Sequence, residues 1–152
     1  MNKKNIFRLF LCIVMVLGLT GCLKKEKVTQ DVFKNVVESY GLTIIDKSIE
    51  FPDEKLLSYL SATNNEYFIE YYELDSEENA KDIYNTNKND IEAFKGSNYS
   101  QVDLNGLNYQ LYKLTANGKY YFISRVENVI IYSEVKSNYK DKIKEITEDL
   151  GF

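Results

Sequence analysis

The chain has 152 residues with 19 basic and 23 acidic side chains, no histidine, and a formal net charge of −4. The missing histidine excludes Ser-His-Asp and Cys-His catalysis and imidazole-ligated zinc, and the acidic balance excludes the basic stripe that nucleic acid needs. Its two cysteines, Cys12 and Cys22, both fall near the start, so the rest of the chain can form no disulfide and must be stabilised by packing.

The chain opens MNKKNIFR, basic and free of acids, and residues 9–19 are an apolar run. That run is shorter than the roughly 20 residues a membrane-spanning helix needs. A basic start, a short apolar run and then small residues is the layout of a secretory signal peptide. It closes on Leu19-Thr20-Gly21-Cys22, which resembles the lipobox of bacterial lipoproteins. The resemblance implies a signal peptide over residues 1–21, cut before Cys22, and a diacylglyceryl thioether on the Cys22 sulfur. Two acyl chains anchor a protein far better than one, at about 0.8 kcal/mol per buried methylene. The implied location is the outer face of the cytoplasmic membrane, as in the small lipoproteins of low-GC Gram-positive bacteria. A composition rich in Lys, Asn, Ile and Tyr agrees with an AT-rich genome. Residues 22–28 then read as a lipidated tether whose lysines Lys24, Lys25 and Lys27 can meet anionic head groups. Without residues 1–21 the net charge is −7.

Residues 29–152 are one ordinary domain's length, and no Pro/Gly/Ser-rich boundary divides them. A helix is expected over 29–40, with Val32, Phe33, Val36, Val37 and Tyr40 on one face, Thr29 as cap and Gly41 at its end. A strand follows over 42–51, with Ile45, Ile49 and Phe51 facing one way. Leu56, Leu57 and Leu60 suggest a short helix over 53–62. EYFIEYYEL, residues 66–74, is the most strand-like segment, and large side chains on both its faces imply a covered central strand. Asp75 and Glu78 resemble a capping box opening a second helix, whose stripe is Ala80, Ile83, Tyr84, Ile91 and Phe94. Asn105-Gly106, Asn117-Gly118 and Glu127-Asn128 are turn signals that divide the next forty residues into a four-stranded antiparallel meander. A closing helix carries Tyr139, Ile143, Ile146 and Leu150 on one face and ends at Gly151-Phe152 in a Schellman motif.

The expected class is therefore α+β, an antiparallel sheet with a C-terminal meander and helices packed on it. The meander and closing helix also resemble, in pattern, the α/β/α sandwiches related to the photosystem accessory protein PsbP. That likeness transfers no site.

Catalytic signals are sparse. No nucleophile elbow or Gly-rich phosphate loop is present. The run 85–90, NTNKND, has a calcium-loop rhythm but lacks that loop's glycine and its closing glutamate, so it reads as a polar helix face. Glu73, Asp75, Glu77 and Glu78 read as complements to a helix dipole. Arg125 is expected to pair with a carboxylate. No metal or other cofactor is implied.

Tyrosine is the unusual feature, with thirteen in the chain. An aromatic surface with hydroxyl tips suits recognition of a sugar or protein, and Tyr67, Tyr71, Tyr109, Tyr112 and Tyr120 are the candidate surface. The functional expectation is a non-catalytic, lipid-anchored binding or accessory domain whose partner is an envelope or extracellular protein or a wall polymer. The alternative is a small cell-wall hydrolase working through a pair of carboxylates.

Overall fold

The computed structural model describes residues 24–50 and 53–152. The expected signal peptide and the lipobox of Leu19, Thr20, Gly21 and Cys22 lie outside the described residues, as does Phe51. The elements are α1 (Gln30–Ser39), β1 (Thr43–Asp46), β2 (Leu56–Thr63), β3 (Phe68–Leu74), α2 (Glu77–Ala93), β4 (Tyr99–Asn105), β5 (Tyr109–Ala116), β6 (Lys119–Val126) and β7 (Val129–Lys136). A 3-10 turn over Ser137–Tyr139 then leads into α3 (Lys140–Asp149). All strands join one antiparallel sheet in the order β1-β2-β3-β7-β6-β5-β4. β1 to β3 form a meander, α2 carries the chain to the far edge, and β4 to β7 return as a second meander that docks β7 on β3. This is the expected α+β architecture.

Strand alternation sorts the core into two layers. On β6, Tyr120 and Phe122 face one side, packing with Phe33 and Val37 of α1 and Ile143 and Ile146 of α3. Tyr121 and Ile123 face the other, packing with Ala80, Tyr84 and Ile91 of α2. Helices thus cover both faces, the layering of an α/β/α sandwich. No helix among the described residues is long and apolar enough to cross a membrane.

Local chemistry sets the element ends. The Thr29 hydroxyl accepts from the Val32 amide to start α1, and the Ser76 hydroxyl accepts from the Asn79 amide to start α2. The α2 cap is therefore Ser76, one residue past the expected Asp75. The Phe152 amide reaches Thr147 O at 2.8 Å and the Gly151 amide reaches Glu148 O at 2.9 Å, the expected Schellman closure. At the β5–β6 turn Asn117 and Gly118 have φ of 51° and 75°, the left-handed pair that a tight hairpin requires.

Four expectations are corrected. Residues 53–62 contain strand β2, not a helix, because a bulge between Leu56 and Ser58 inserts Leu57 out of register. The extra residue converts period-two alternation into helix-like spacing, and Leu57 is left 59% exposed. The first strand ends at Asp46, where the carboxylate accepts the Ser48 amide at 2.9 Å and turns the chain. Its core-facing residue is Ile44, while Ile45 and Ile49 are exposed. The α2 stripe is narrower than expected, since Ile83 and Phe94 are exposed and only Ala80, Tyr84 and Ile91 are buried. The β4–β5 loop turns at Leu107-Asn108, one pair later than Asn105-Gly106, with the Gly106 amide donating to Tyr109 O at 2.9 Å. Glycine is needed at 106 for space: a Cβ there would lie 1.9 Å from Tyr109 Cε1.

That shift frees Asn108 to clamp the start of the described chain. The Lys25 amide donates to Asn108 Oδ1 at 2.9 Å, and Asn108 Nδ2 donates to Lys25 O at 2.8 Å. Lys27 pairs with Glu73 at 3.3 Å, Lys25 Nζ reaches Gly151 O, and Val28 is buried. Residues 24–28 are therefore folded onto the domain and are not a free spacer. Asn108→Ala should speed amide exchange at Lys25 at least tenfold and cost about 1–2 kcal/mol of stability, two ordinary hydrogen bonds. Unchanged exchange at Lys25 would remove the clamp.

Candidate functional site

The expected tyrosine surface is not assembled. Tyr67, Tyr71, Tyr112 and Tyr120 are all buried and Tyr109 is half-buried. Tyr71 and Tyr120 face α1 and α3 in one layer, while Tyr112 belongs to the layer beneath α2. Helices cover those positions because strand parity turns them inward. Arg125 is also buried, and among the described residues no carboxylate lies at ion-pair distance from it: Nε donates to Gln110 Oε1 and NH1 to Glu127 O, both at 2.9 Å.

A different aromatic group lines a cavity of about 560 Å³, bounded by Glu50, Asp53, Leu56, Tyr59, Tyr72, Leu74 and Ile83. It lies over β2 and β3 on the α2 side of the sheet, beside the helix. A smaller cavity of about 210 Å³ adjoins it, sharing Tyr72 and Ile83 and adding Asn87, Ile123, Ile130 and Tyr132. Tyr59 and Tyr72 are directly opposite on β2 and β3. Their rings stack at 4.5 Å between centroids with a 20° tilt.

Glu70 fixes this pair. Placed two residues from Tyr72 on the same strand face, its carboxylate accepts Tyr72 Oη at 2.6 Å and Tyr59 Oη at 2.7 Å. Glu70 is itself buried, and short charge-assisted bonds of this kind offset the desolvation of a carboxylate. Burial chiefly, with smaller opposing effects from Tyr72 and Glu70, pushes the Tyr59 hydroxyl up to about 12. Tyr72 is raised too, by burial first and by the Glu70 charge second. Both phenols are therefore neutral, hydrogen-bonded walls at physiological pH.

The loop over the mouth is pinned from below. Tyr59 N donates to Ser48 Oγ at 2.9 Å, Lys47 N donates to Tyr59 O at 2.8 Å, and Lys47 Nζ lies 5.4 Å from the Tyr59 ring centroid. Ile83 stands on the exposed edge of α2, where it completes the wall.

Tyr59 and Glu70 are the site residues that the sequence reading missed. Tyr59 lay in the segment read as a helix. The signal for Glu70 was present: Phe68, Glu70, Tyr72 and Leu74 alternate on one strand face, and a lone acid among them marks a polar anchor in an apolar wall. The acids Glu73, Asp75, Glu77 and Glu78 do not gather. Glu73 pairs with Lys27, Asp75 accepts Asn79 Nδ2 at 2.7 Å, and Glu77 and Glu78 occupy the first turn of α2. Residues 85–90 lie within α2. Among the described residues no three His, Cys, Asp or Glu converge as metal ligands.

No protein-family model, no curated protein and no solved structure matches this chain.

Proposed function

We propose that this chain is a lipid-anchored extracytoplasmic lipoprotein whose domain binds a small apolar or amphipathic ligand between Tyr59, Tyr72 and Ile83 without transforming it. The pocket carries the reading: its volume of about 560 Å³ falls within the roughly 300–1,000 Å³ of small-molecule sites. Its walls are aliphatic and aromatic, with Glu50 and Asp53 as polar groups to orient a ligand. Its position supports the reading as well. The pocket lies at the end of β2 and β3 that carries Leu56 and Leu74, and Lys27 docks against Glu73 at that same end. With a lipid on Cys22, ligands that partition to the membrane surface would be within reach.

The neutral dye N-phenyl-1-naphthylamine is expected to bind the full chain saturably at one site. Ile83→Lys, an exposed helix position, should weaken that binding at least tenfold while thermal unfolding stays unchanged. Binding that ignores Ile83→Lys would place the ligand elsewhere. The anchor has its own test: Cys22→Ala should leave an uncleaved, lipid-free precursor, and normal processing of that variant would remove the lipoprotein reading. A second reading, hydrolysis of wall polymers, is favoured by one observation, the two carboxylates Glu50 and Asp53 on the same cavity. New reducing ends released from wall polymer, and abolished by Glu50→Gln or Asp53→Asn, would replace binding with hydrolysis.

A further inference from the structure

On the opposite face of the sheet, α3 leaves the strands near β4 uncovered, and a further cavity of about 190 Å³ lies there. Its lining brings together Lys113 of β5, Lys140 and Lys144 one turn apart on α3, the Ser100 and Thr115 side chains, and Tyr120. Three half-buried lysines converging in a chain with more acids than bases is an imbalance that needs a cause.

The lysines are only partly balanced from within. Among the described residues neither Lys113 nor Lys140 has a carboxylate at ion-pair distance, and Lys144 has only Asp141 at 3.7 Å. Lys140 Nζ donates to Thr115 Oγ1 at 3.0 Å and lies 5.6 Å from the Tyr120 ring centroid. Lys113 Nζ lies 5.3 Å from the Phe122 ring centroid. Burial holds the Lys113 ammonium below its ordinary value, Glu148 opposes that shift, and Lys144 and Lys25 add to it.

The second observation is independent of the charges. Tyr120 is 1% exposed, and its hydroxyl is buried with no hydrogen-bond partner among the described residues. Native proteins satisfy nearly all such groups, and an orphaned hydroxyl destabilises the fold. Under-paired cations beside an under-paired donor are both offset by one kind of guest, an anion with several acceptor oxygens.

We propose that this pocket binds a phosphate-type oxyanion, held by Lys113 and Lys140, with Thr115, Ser100 and Tyr120 as supplementary donors. The cavity is smaller than the roughly 300 Å³ at which drug-sized ligand sites begin, so it takes the anionic group and leaves the remainder of a larger ligand outside. Thr115 and Tyr120 flank the Asn117-Gly118 turn, at the other end of the strands from the Asn108 clamp. Strands of eight residues separate the two ends by roughly 25 Å. The anion comes from a free phosphate compound or from a phosphodiester polymer.

The test is equilibrium binding to the full chain in zwitterionic micelles, followed by amide NMR at Thr115 and Tyr120 at constant ionic strength. The probes are inorganic phosphate and glycerophosphoglycerol. Saturable shifts with either support the site; preference for the diester assigns a polymer source, and preference for inorganic phosphate assigns a free one. Lys113→Gln with Lys140→Gln should weaken binding at least tenfold, whereas Lys136→Gln, on the exposed end of β7, should leave it unchanged. Tyr120→Phe separates a ligand role from a structural one, because it should raise the melting temperature of the ligand-free protein while weakening binding. Shifts that chloride reproduces at equal ionic strength, or that survive the double lysine variant, overturn the proposal.

Discussion

Raising the pH above 10 should unfold this protein in one cooperative step, with the absorbance of its buried tyrosines as tyrosinate appearing together with the loss of structure. Tyr59, Tyr71, Tyr84 and Tyr120 are all buried, and burial is the first cause that raises each of their phenols above the ordinary value of 10. The sign follows from linkage. A phenol whose folded pKa is raised holds its proton in the folded state after the unfolded chain has released it. Its contribution is complete below pH 10 and is lost as pH climbs through the folded values. Each such group steepens the decline by about 1.4 kcal/mol per pH unit, so four together remove about 5 kcal/mol per unit. Total stabilities of about 5–15 kcal/mol are used up within about one to three units of that. The chain has no histidine, so no imidazole titration overlaps the transition. Ionisation of all thirteen tyrosines while the circular dichroism stays native would contradict the burial described above.

Glu70→Leu should be among the most damaging single substitutions, costing about 2–4 kcal/mol, because it takes the acceptor from Tyr72 and one acceptor from Tyr59 in a buried setting. Glu70→Gln keeps the shape and an acceptor oxygen and should cost about half as much. Removing the donors as well changes the sign of the argument. Tyr59→Phe with Tyr72→Phe in the Glu70→Leu background should recover part of the loss, since the stranded hydroxyls are gone. Additive losses across that cycle, measured by urea unfolding, would show that the three side chains do not act as a unit.

Where the fold was legible in the sequence, a residue with a fixed local task announced it. Thr29 and Gly41 bound α1, Asn117-Gly118 has the torsions a tight hairpin demands, and Gly151-Phe152 closes α3. Legibility failed where one residue broke a period. Leu57, expelled by the bulge, made a strand scan as a helix and hid Tyr59. The candidate site failed for a related reason. Tyr71 and Tyr72 are neighbours in sequence but face opposite sides of β3, one against α1 and α3 and one into the cavity. Sequence shows that such a strand has two faces. Which face a helix covers depends on where α2 crosses, and that is a property of the whole topology.

The Lys25 clasp brings the beginning of the described chain against its last residues, Gly151 and Phe152. Bridging 152 to 24 and reopening the loop at Asn65, where φ is 72°, would leave every strand pairing in place. The result would be a circular permutant with its free ends at the opposite pole. Hung from a surface by either end, it would be turned upside down, bringing the lysine pocket toward that surface and the tyrosine pocket away from it. Which cavity meets the surface is therefore decided by where the backbone is cut, not by the packing that forms the two cavities.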